Sequence, residues 1–323
     1  MSFWNKLQKP FFVMAPMADV TDVAFRALVA ARGKPDVFWT EFVSADGLYH
    51  TREIKKMPDE ENPLMRDLVI GEGQRPILAQ IFSSKPEMIT YATKLVAELG
   101  FDGVDINMGC PDRAIERQGC GSAMMKNPEL AQEIIRAAKA ASNLPVSVKT
   151  RVGYNKESLD EWLTALLEAA PAAITLHLRT RKEMSLVPAD WELMQKAVEI
   201  RNSVNPDVLL IGNGDVQDLE DGRAKVAESG CDGAMLGRAM FGNPWVFAGR
   251  KSEDTPLAEK LAALIELAHG FEKISPSKNF AILKKHIKAF VTGFDGAADL
   301  RARLMAAESV AELEKTIAAA SIK

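Results

Sequence analysis

The sequence predicts an α/β fold, a (β/α)8 TIM barrel followed by a small C-terminal all-α domain. Three observations predict it. Eight short runs rich in β-branched or apolar residues recur along the chain, helical patterns that close on glycine lie between them, and no strand pattern is found after Arg250. Runs that are apolar throughout suit a parallel sheet covered on both faces. An open doubly wound sheet is the structural alternative. It would want a glycine-rich phosphate turn after its first strand, where this chain reads Ala15-Pro16-Met17-Ala18.

In chain order, strands are expected at 11–15, 37–42, 77–82, 103–107, 146–149, 173–177, 208–212 and 233–237. Helices are expected between them at 21–31 closed by Gly33, 86–99 closed by Gly100, 128–141, 159–169, 191–202 and 219–229. Glycine at the end of a helix, just before an apolar run, is what the return turn of a βα unit requires. The longest connection, 45–76, is polar, charged and interrupted by Pro and Gly, and reads as a surface excursion over the barrel mouth. The expected division is a barrel over 1–250 and a helical domain over 251–323, with helices at 257–272, 279–292, 297–307 and 310–320.

Composition bounds the functional classes. A chain of 323 residues with 47% hydrophobic and 26% charged side chains is neither disordered nor fibrous, and is too large for a disulfide-stapled scaffold. No segment approaches the roughly 18 apolar residues of a membrane span, so no membrane partner is expected. The opening MSFWNKLQKPFFVMAPM lacks a separate apolar stretch with a cleavage site, and the expected location is cytoplasmic. Cys110, Cys120 and Cys231 are odd in number and lack ligand spacing, so neither a disulfide frame nor a metal site is expected. A net charge of −4 argues against a surface that grips nucleic acid everywhere; a polyanion partner needs a local patch. Residues 251–323 carry 11 basic against 10 acidic side chains. Within 278–303, Lys278, Lys284, Lys285, Lys288, Arg301 and Arg303 face only Asp295 and Asp299, a candidate phosphate-contact surface or an ordinary solvated face.

Barrel chemistry collects at the carboxyl ends of the strands. Those ends read Pro16 and Met17, Glu41, Gln80, Asn107, Lys149, His177, Asn213-Gly214-Asp215 and Gly237-Arg238. So many polar groups at one face predict a ligand site, because a core needs none of them. The glycines after strands seven and eight, with Arg238 as a clamp, favour a phosphate over mere tight turns. Lys149 and Gln80 suit the polar edge of a flat heterocycle, where a fixed cation stabilises a reduced flavin; a buried ion pair is the competing reading of Lys149, and a satisfied core histidine that of His177. Cys110, in Asn107-Met108-Gly109-Cys110-Pro111, sits on the loop after strand four and suits a general acid. Cys120 is on the same loop as a structural or secondary thiol, and Cys231 reads as a small core hydrophobe.

The segments APMADVTDVAFR, TEFVSADGL, DINMGCPDRAIERQGCGSAMMKNPEL, VSVKTRVGY, ITLHLRTR, IGNGDV and DGAMLGRAMFGNPWVF resemble, in order, those of the tRNA-dihydrouridine synthases. The likeness spans nearly the whole barrel, with a weaker echo in LKKHIKAFVTGFDGAADLRARL. It implies FMN as cofactor and NADPH as reductant. It also implies flavin contacts at Pro16, Met17, Ala18, Gln80, Lys149, Asn213, Gly214, Asp215, Gly237 and Arg238, with His177 beside them. Cys110 matches the proton donor, opposite hydride transfer from flavin N5 to uracil C6, and Asn107 would help place the uracil. A uridine must leave its stack for this chemistry. The resemblance thus gives tRNA as partner and the tail a purpose, with Arg179 and Arg181 near the mouth and Lys284, Lys285 and Arg301 on the tail as phosphate contacts. A monomer is expected. Leu178 stands where the family commonly has glycine, and KEMSLVPADW at 182–191 is unlike the commoner versions. Rival readings are a flavin barrel acting on a free small molecule, as in dihydroorotate dehydrogenases, and a non-catalytic tRNA binder.

Overall fold

The computed structural model describes residues 2–320. Its eight strands are β1 (Phe11–Met14), β2 (Phe38–Ser44), β3 (Ile77–Phe82), β4 (Gly103–Met108), β5 (Val146–Arg151), β6 (Ala173–His177), β7 (Leu209–Asn213) and β8 (Gly233–Leu236). From β2 to β8 each strand pairs in parallel with the next in sequence, and β8 pairs with β1. The Met14 amide donates to the Val37 carbonyl at 3.1 Å, which joins β1 to the start of β2 and closes the ring. Alternation sorts the side chains. Phe11, Val13 and Ala15 pack inside the barrel with Trp39, Leu78, Ile211 and Met235, while Phe12 and Met14 pack outward beneath the helices. Trp4 joins the inner cluster from the N-terminal segment, its ring centroid 5.9 Å from that of Phe11 and 6.2 Å from that of Trp39.

Four strands run further than their apolar runs suggested: β2 to Ser44, β4 to Met108, β5 to Arg151 and β7 to Asn213. Interior strands have partners on both sides, so their ladders continue past the last apolar residue. Register then sets polar residues side by side: Asn107 opposite Lys149, Arg151 opposite His177, and His177 opposite Asn213.

The helices are α1 (Val23–Arg32), α2 (Ala45–Tyr49), α3 (Pro63–Arg66), α4 (Pro86–Glu98), α5 (Arg113–Glu116), α6 (Pro128–Ala141), α7 (Leu159–Glu168), α8 (Glu192–Val204), α9 (Leu219–Ser229), α10 (Leu257–Glu272), α11 (Lys284–Phe290), α12 (Ala297–Ala306) and α13 (Val310–Ala318). The 45–76 connection is not the plain surface excursion expected from its polarity. It contains α2, a π-turn over His50–Ile54 and α3, and it buries Leu48, Met65 and Leu68. Its helices are capped by Ser44 and Asn62, whose side chains accept from Gly47 N and Leu64 N at 3.1 and 3.0 Å.

After β8 only short 3-10 turns follow, Arg238–Met240 and Val246–Ala248, until α10 packs against α1. A Cβ on Gly270 would lie 3.2 Å from the Ala24 Cβ, and Arg32 makes two bonds to Glu266 at 3.0 and 2.5 Å. The same helix contacts α11 and α13 of the tail. The stretch expected as one helix over 279–292 is a 3-10 turn, Phe280–Ile282, followed by α11. Lys278 is not on an exposed phosphate-contact surface: its side chain is 2% exposed and lies between the carboxylates of Glu41 and Asp67. Among the described residues no helix is long and apolar enough to cross a membrane, and no group of three His, Cys, Asp or Glu side chains is placed to hold a metal.

Gly242 marks the seam between barrel and tail. Its φ is +70°, and a Cβ there would sit 2.3 Å from the Ala289 carbonyl oxygen of α11, which is backbone and cannot rotate away. Gly249 has a φ of +76° with open space around it. In chemical denaturation, Gly249→Ala should cost only the left-handed conformation, about 1–2 kcal/mol, whereas Gly242→Ala should cost that plus a further ~1–3 kcal/mol of overpacking. Equal losses would show that α11 is not pressed against this turn.

Candidate functional site

Two lobes of one cleft open at the carboxyl ends of the strands, with volumes of about 260 and 170 Å³, and they share the walls Pro16, Lys149 and His177. The larger lobe is completed by Met17, Arg179, Ser185, Asn213, Gly214, Asp215, Gly237 and Arg238. The smaller is completed by Phe42, Gln80, Asn107, Gly109, Cys110, Pro111 and Arg151. Residues expected at the site from 16 to 238 thus meet across the barrel mouth, apart from Ala18, which is exposed, Glu41, which is buried and lines neither lobe, and Arg181, which lies outside both lobes.

Beneath the smaller lobe a buried network sets the polar groups. Asp105 accepts from Ser147 Oγ at 2.5 Å and from Gln80 Nε2 at 2.6 Å, and Gln80 Oε1 accepts from Asn107 Nδ2 at 2.9 Å. Asn107 Oδ1 in turn accepts the amides of Gly109 and Cys110 at 3.1 and 2.9 Å. Asn107 therefore orients the cysteine loop and keeps one of its two N–H donors for the cleft. Arg151 Nε donates to the Gly109 carbonyl at 2.9 Å, and the Ser122 amide donates to the Cys110 carbonyl at 2.9 Å. The second contact requires Gly121: its φ is +59°, and a Cβ would stand 2.6 Å from that carbonyl oxygen. Burial pushes the Cys110 thiol above its usual range, so it holds its proton at neutral pH.

Lys149 Nζ donates to Asn213 Oδ1 at 3.0 Å, and Asn213 Nδ2 to the Met235 carbonyl at 2.9 Å, so β5, β7 and β8 are tied at the floor of the larger lobe. Burial, then the neighbouring Arg151, push the Lys149 ammonium down to about 8. Arg179 Nη1 lies 3.1 Å from His177 Nε2; a guanidinium can only donate, so that nitrogen accepts and the ring is neutral with its proton on Nδ1. Burial, with cations at Lys149, Arg151, Arg179 and Arg238, holds the imidazole far below its usual value. Arg179 also binds the Val187 carbonyl at 2.6 Å and pairs with Asp215, whose other oxygen pairs with Arg238. The two guanidiniums hold the Asp215 carboxyl below its usual range against its partial burial.

The larger lobe therefore presents Lys149, Arg179 and Arg238 against one carboxylate, a positive excess suited to a phosphate. Gly237 is consistent with that use. A Cβ there would meet only the Ala15 Cβ at 3.6 Å and Met17 Sδ at 3.7 Å, ordinary contacts, so packing within the protein does not demand glycine; the space left opens on the lobe.

Arg151, Phe42, Pro111 and Ser185 line the cleft without having been singled out from the sequence. Arg151 carried a signal, since it stands two residues beyond Lys149 on the same strand. Arg179 is buried against His177 and Asp215 inside the larger lobe. Arg181 pairs with Glu116 and lies 5.2 Å from the Tyr154 ring, bracing the cysteine loop from outside. Leu178 is fully buried in the outer core, so its side chain points away from the cleft that His177 lines. On the tail Lys284 is half-buried, Lys285 is exposed and pairs with Asp19 at 2.9 Å, and Arg301 donates to the Val291 carbonyl at 2.9 Å.

Residues 13–323 match the family model described as dihydrouridine synthase. A probable tRNA-dihydrouridine synthase of Staphylococcus aureus (strain COL) is 39% identical over 314 residues, covering 96% of this chain and 93% of that protein. A probable tRNA-dihydrouridine synthase 2 of Bacillus subtilis (strain 168) is 41% identical over 315 residues, covering 97% and 94%. Among solved structures, histamine dehydrogenase from Rhizobium sp. 4-9 is similar with a TM-score of 0.54 at 13% identity, over 85% of this chain and 50% of that one. A morphinone reductase variant is similar with a TM-score of 0.52 at 11% identity, over 74% and 86%. At those identities the likeness is one of fold.

The raised Cys110 pKa has a direct chemical readout, because only the thiolate is alkylated. Iodoacetamide labelling of Cys110, followed by peptide mass analysis, should be slow at pH 7 and rise roughly tenfold per pH unit to beyond pH 9. A rate that levels off below pH 8 would mean a thiolate already stabilised in the ground state.

Proposed function

We propose, from the premise that this chain belongs to the dihydrouridine synthase family, that it reduces the C5=C6 bond of uridines in tRNA with FMN as cofactor and NADPH as reductant. One observation carries the reading. A protonated, half-buried thiol, Cys110, faces the smaller lobe of a cleft whose larger lobe is lined by glycine and fixed cations. A free-standing thiol needs no neighbouring phosphate-sized cationic lobe, and a simple binder needs no general acid.

The residues present fit a flavin mononucleotide. Gly237, Gly214, Arg238 and Arg179 would hold its phosphate end, and Lys149 its polar ring edge, with Pro16 and Met17 as walls. When bound and reduced, the flavin supplies the hydride delivered to uracil C6. Cys110 supplies the proton at C5, its S–H bond breaking as the C5–H bond forms, and the resulting thiolate regains a proton from solvent. Lys149 and Arg151 beside it favour that thiolate for as long as it lasts. Asn107, pinned through Gln80 and the loop amides, turns its remaining N–H toward a uracil carbonyl. The neutral His177 adds no charge and keeps Arg179 pointed into the larger lobe.

The base must leave its stack to reach this depth, so the rim carries the rest of the RNA. Arg181 beside the cysteine loop, and Lys284, Lys285 and Arg301 on the tail, are the proposed contacts to tRNA phosphates, with the barrel as catalytic unit and the helical tail as RNA-binding unit. Few contacts mean a modest dependence of binding on salt.

The decisive test is anaerobic. Protein with reduced flavin should be reoxidised by unmodified tRNA and not by free uridine or orotate; reoxidation by orotate with tRNA inert would replace this reading with a small-molecule flavoenzyme. Cys110→Ala should keep its flavin and its reduction by NADPH while tRNA-dependent reoxidation falls by about 10²–10⁴-fold. Arg238→Ala should weaken FMN binding measured by fluorescence titration, by about tenfold for one charge-assisted hydrogen bond.

A further inference from the structure

The loop between β1 and α1 carries Pro16 and Met17 into the cleft, and two lysines of the tail end on it or on its support. Asp19 lies in the left-handed region, with φ of +57°, a conformation that a non-glycine residue holds only when its surroundings fix it. Its amide donates to Glu41 Oε1 and its carboxylate accepts from Lys285 Nζ at 2.9 Å. The other oxygen of Glu41 holds Lys278, which also lies 3.3 Å from Asp67. Within the loop the Val20 amide reaches back to the Met17 carbonyl at 3.1 Å, and the Met17 amide donates to Thr21 Oγ1 at 2.9 Å. Asp19 is thus one turn away from residues that wall the cleft.

Lys278 is itself presented from a fixed backbone, because Arg66 Nη1 binds the Pro276 and Ser277 carbonyls at 3.2 and 3.3 Å. The Lys278 side chain is 2% exposed and that of Glu41 6%, so the pair is little screened by solvent. Removing the ammonium would take from Glu41 its only hydrogen-bonded cation, since Arg66 stays on Asp67 and the buried Arg26 acts on both carboxylates without a hydrogen bond to Glu41. A carboxylate this buried is costly to keep charged without its bonded partner, and Glu41 would swing or take up a proton. Either change disturbs the acceptor of the Asp19 amide.

We infer that the helical tail is part of the cofactor site: Lys278, through Glu41, and Lys285, on Asp19, hold the β1–α1 loop in the conformation that walls the cleft. Both lysines and Glu41 are positioning residues, since none of them lines the cleft. The inference rests on the proposed function only for the identity of the cofactor.

The test uses the full chain and two readouts. In Lys278→Met, backbone hydrogen exchange over residues 16–21, measured without added ligand, should quicken about tenfold for the loss of one buried charged hydrogen bond, with Leu257–Glu272 amides unchanged. FMN affinity, by fluorescence titration, should weaken by a similar factor, and Lys278→Arg should restore both. Lys285→Gln, at a side chain 48% exposed, should move both readouts in the same direction by less. Unchanged exchange over 16–21 in a folded Lys278→Met protein overturns the inference, as does acceleration that runs equally through the tail helices, which would make the pair ordinary domain cement. Should Lys278→Met fail to fold, Lys285→Gln decides: unchanged exchange over 16–21 overturns the coupling. Failure of the unaltered protein to bind FMN would instead sink the proposed function, and the exchange readout would still judge the loop.

Discussion

β1 is four residues long, yet it carries both seams of the barrel. It takes four register pairs from β8 on one side, and on the other it meets the start of β2 through the Met14–Val37 hydrogen bond. Asp36 reinforces that second seam, its carboxylate accepting from the Phe12 amide at 2.7 Å while its own amide donates to the Phe12 carbonyl at 2.9 Å. Closure forces all eight carboxyl ends to one rim, and the parallel register then sets Asn107, Lys149, Arg151, His177 and Asn213 on adjacent strands. Every later property of the cleft follows from that convergence, because side chains as far apart in sequence as Lys149 and Asn213 become hydrogen-bonding neighbours.

Convergence creates an electrostatic problem as well as a site. Lys149, Arg151 and Arg179 crowd a poorly solvated mouth with the exposed Arg238 at its edge, and burial first, then neighbouring cations, lowers the affinities of Lys149 and Arg151 for their protons to about 8 and about 10. The chain relieves it in three ways. Asp215 is shared between two guanidiniums, His177 stays neutral, and Arg151 spends its donors on the carbonyls of Gly109, Thr180 and Met184. A strained positive excess remains, and an anionic ligand is what satisfies it. The same carbonyl contacts fix the loops after β4 and β6, so the groups that suit an anion also rigidify the mouth that receives it.

Much of the fold and the site was legible because the chemistry interrupts the hydrophobic pattern. Lys149, His177 and Asn213 end apolar runs at one equivalent position after another, which is visible without coordinates. Arg151 was hidden because it lay beyond the apolar part of β5, where ladder bonds rather than hydrophobicity keep the strand going. The inner and outer faces of β1 were hidden because Phe11 to Ala15 is apolar at every position, leaving no alternation to read. Arg179 looked like a mouth residue from its place after β6; Asp215 and the Val187 carbonyl turn it inward, and neither contact has a local sequence signature. The α2 and α3 segments were masked by Gly47 and Pro63, residues that break helices in their interiors but are compatible with a first turn.

The tail is where reading a chain in consecutive blocks breaks down. A change of pattern at residue 250 marks where strands stop, which is a different matter from where the barrel's support stops. α10 covers α1 in the place left open after β8, and its other side joins α11 and α13, so one helix serves both cores. Arg250 is fastened across the expected boundary by two bonds to Glu259 at 2.8 and 2.7 Å and lies 5.5 Å from the Trp245 ring. Cutting there would bare the α1 face that holds Phe25 and Leu28 and would remove Lys278 from Glu41, 237 positions away in sequence. A shortened barrel that lost its substrate would then report on both RNA contacts and the cofactor loop. The two are separable only by side-chain substitutions that leave α10 in place, because the physical unit that walls the cleft includes residues from both ends of the chain.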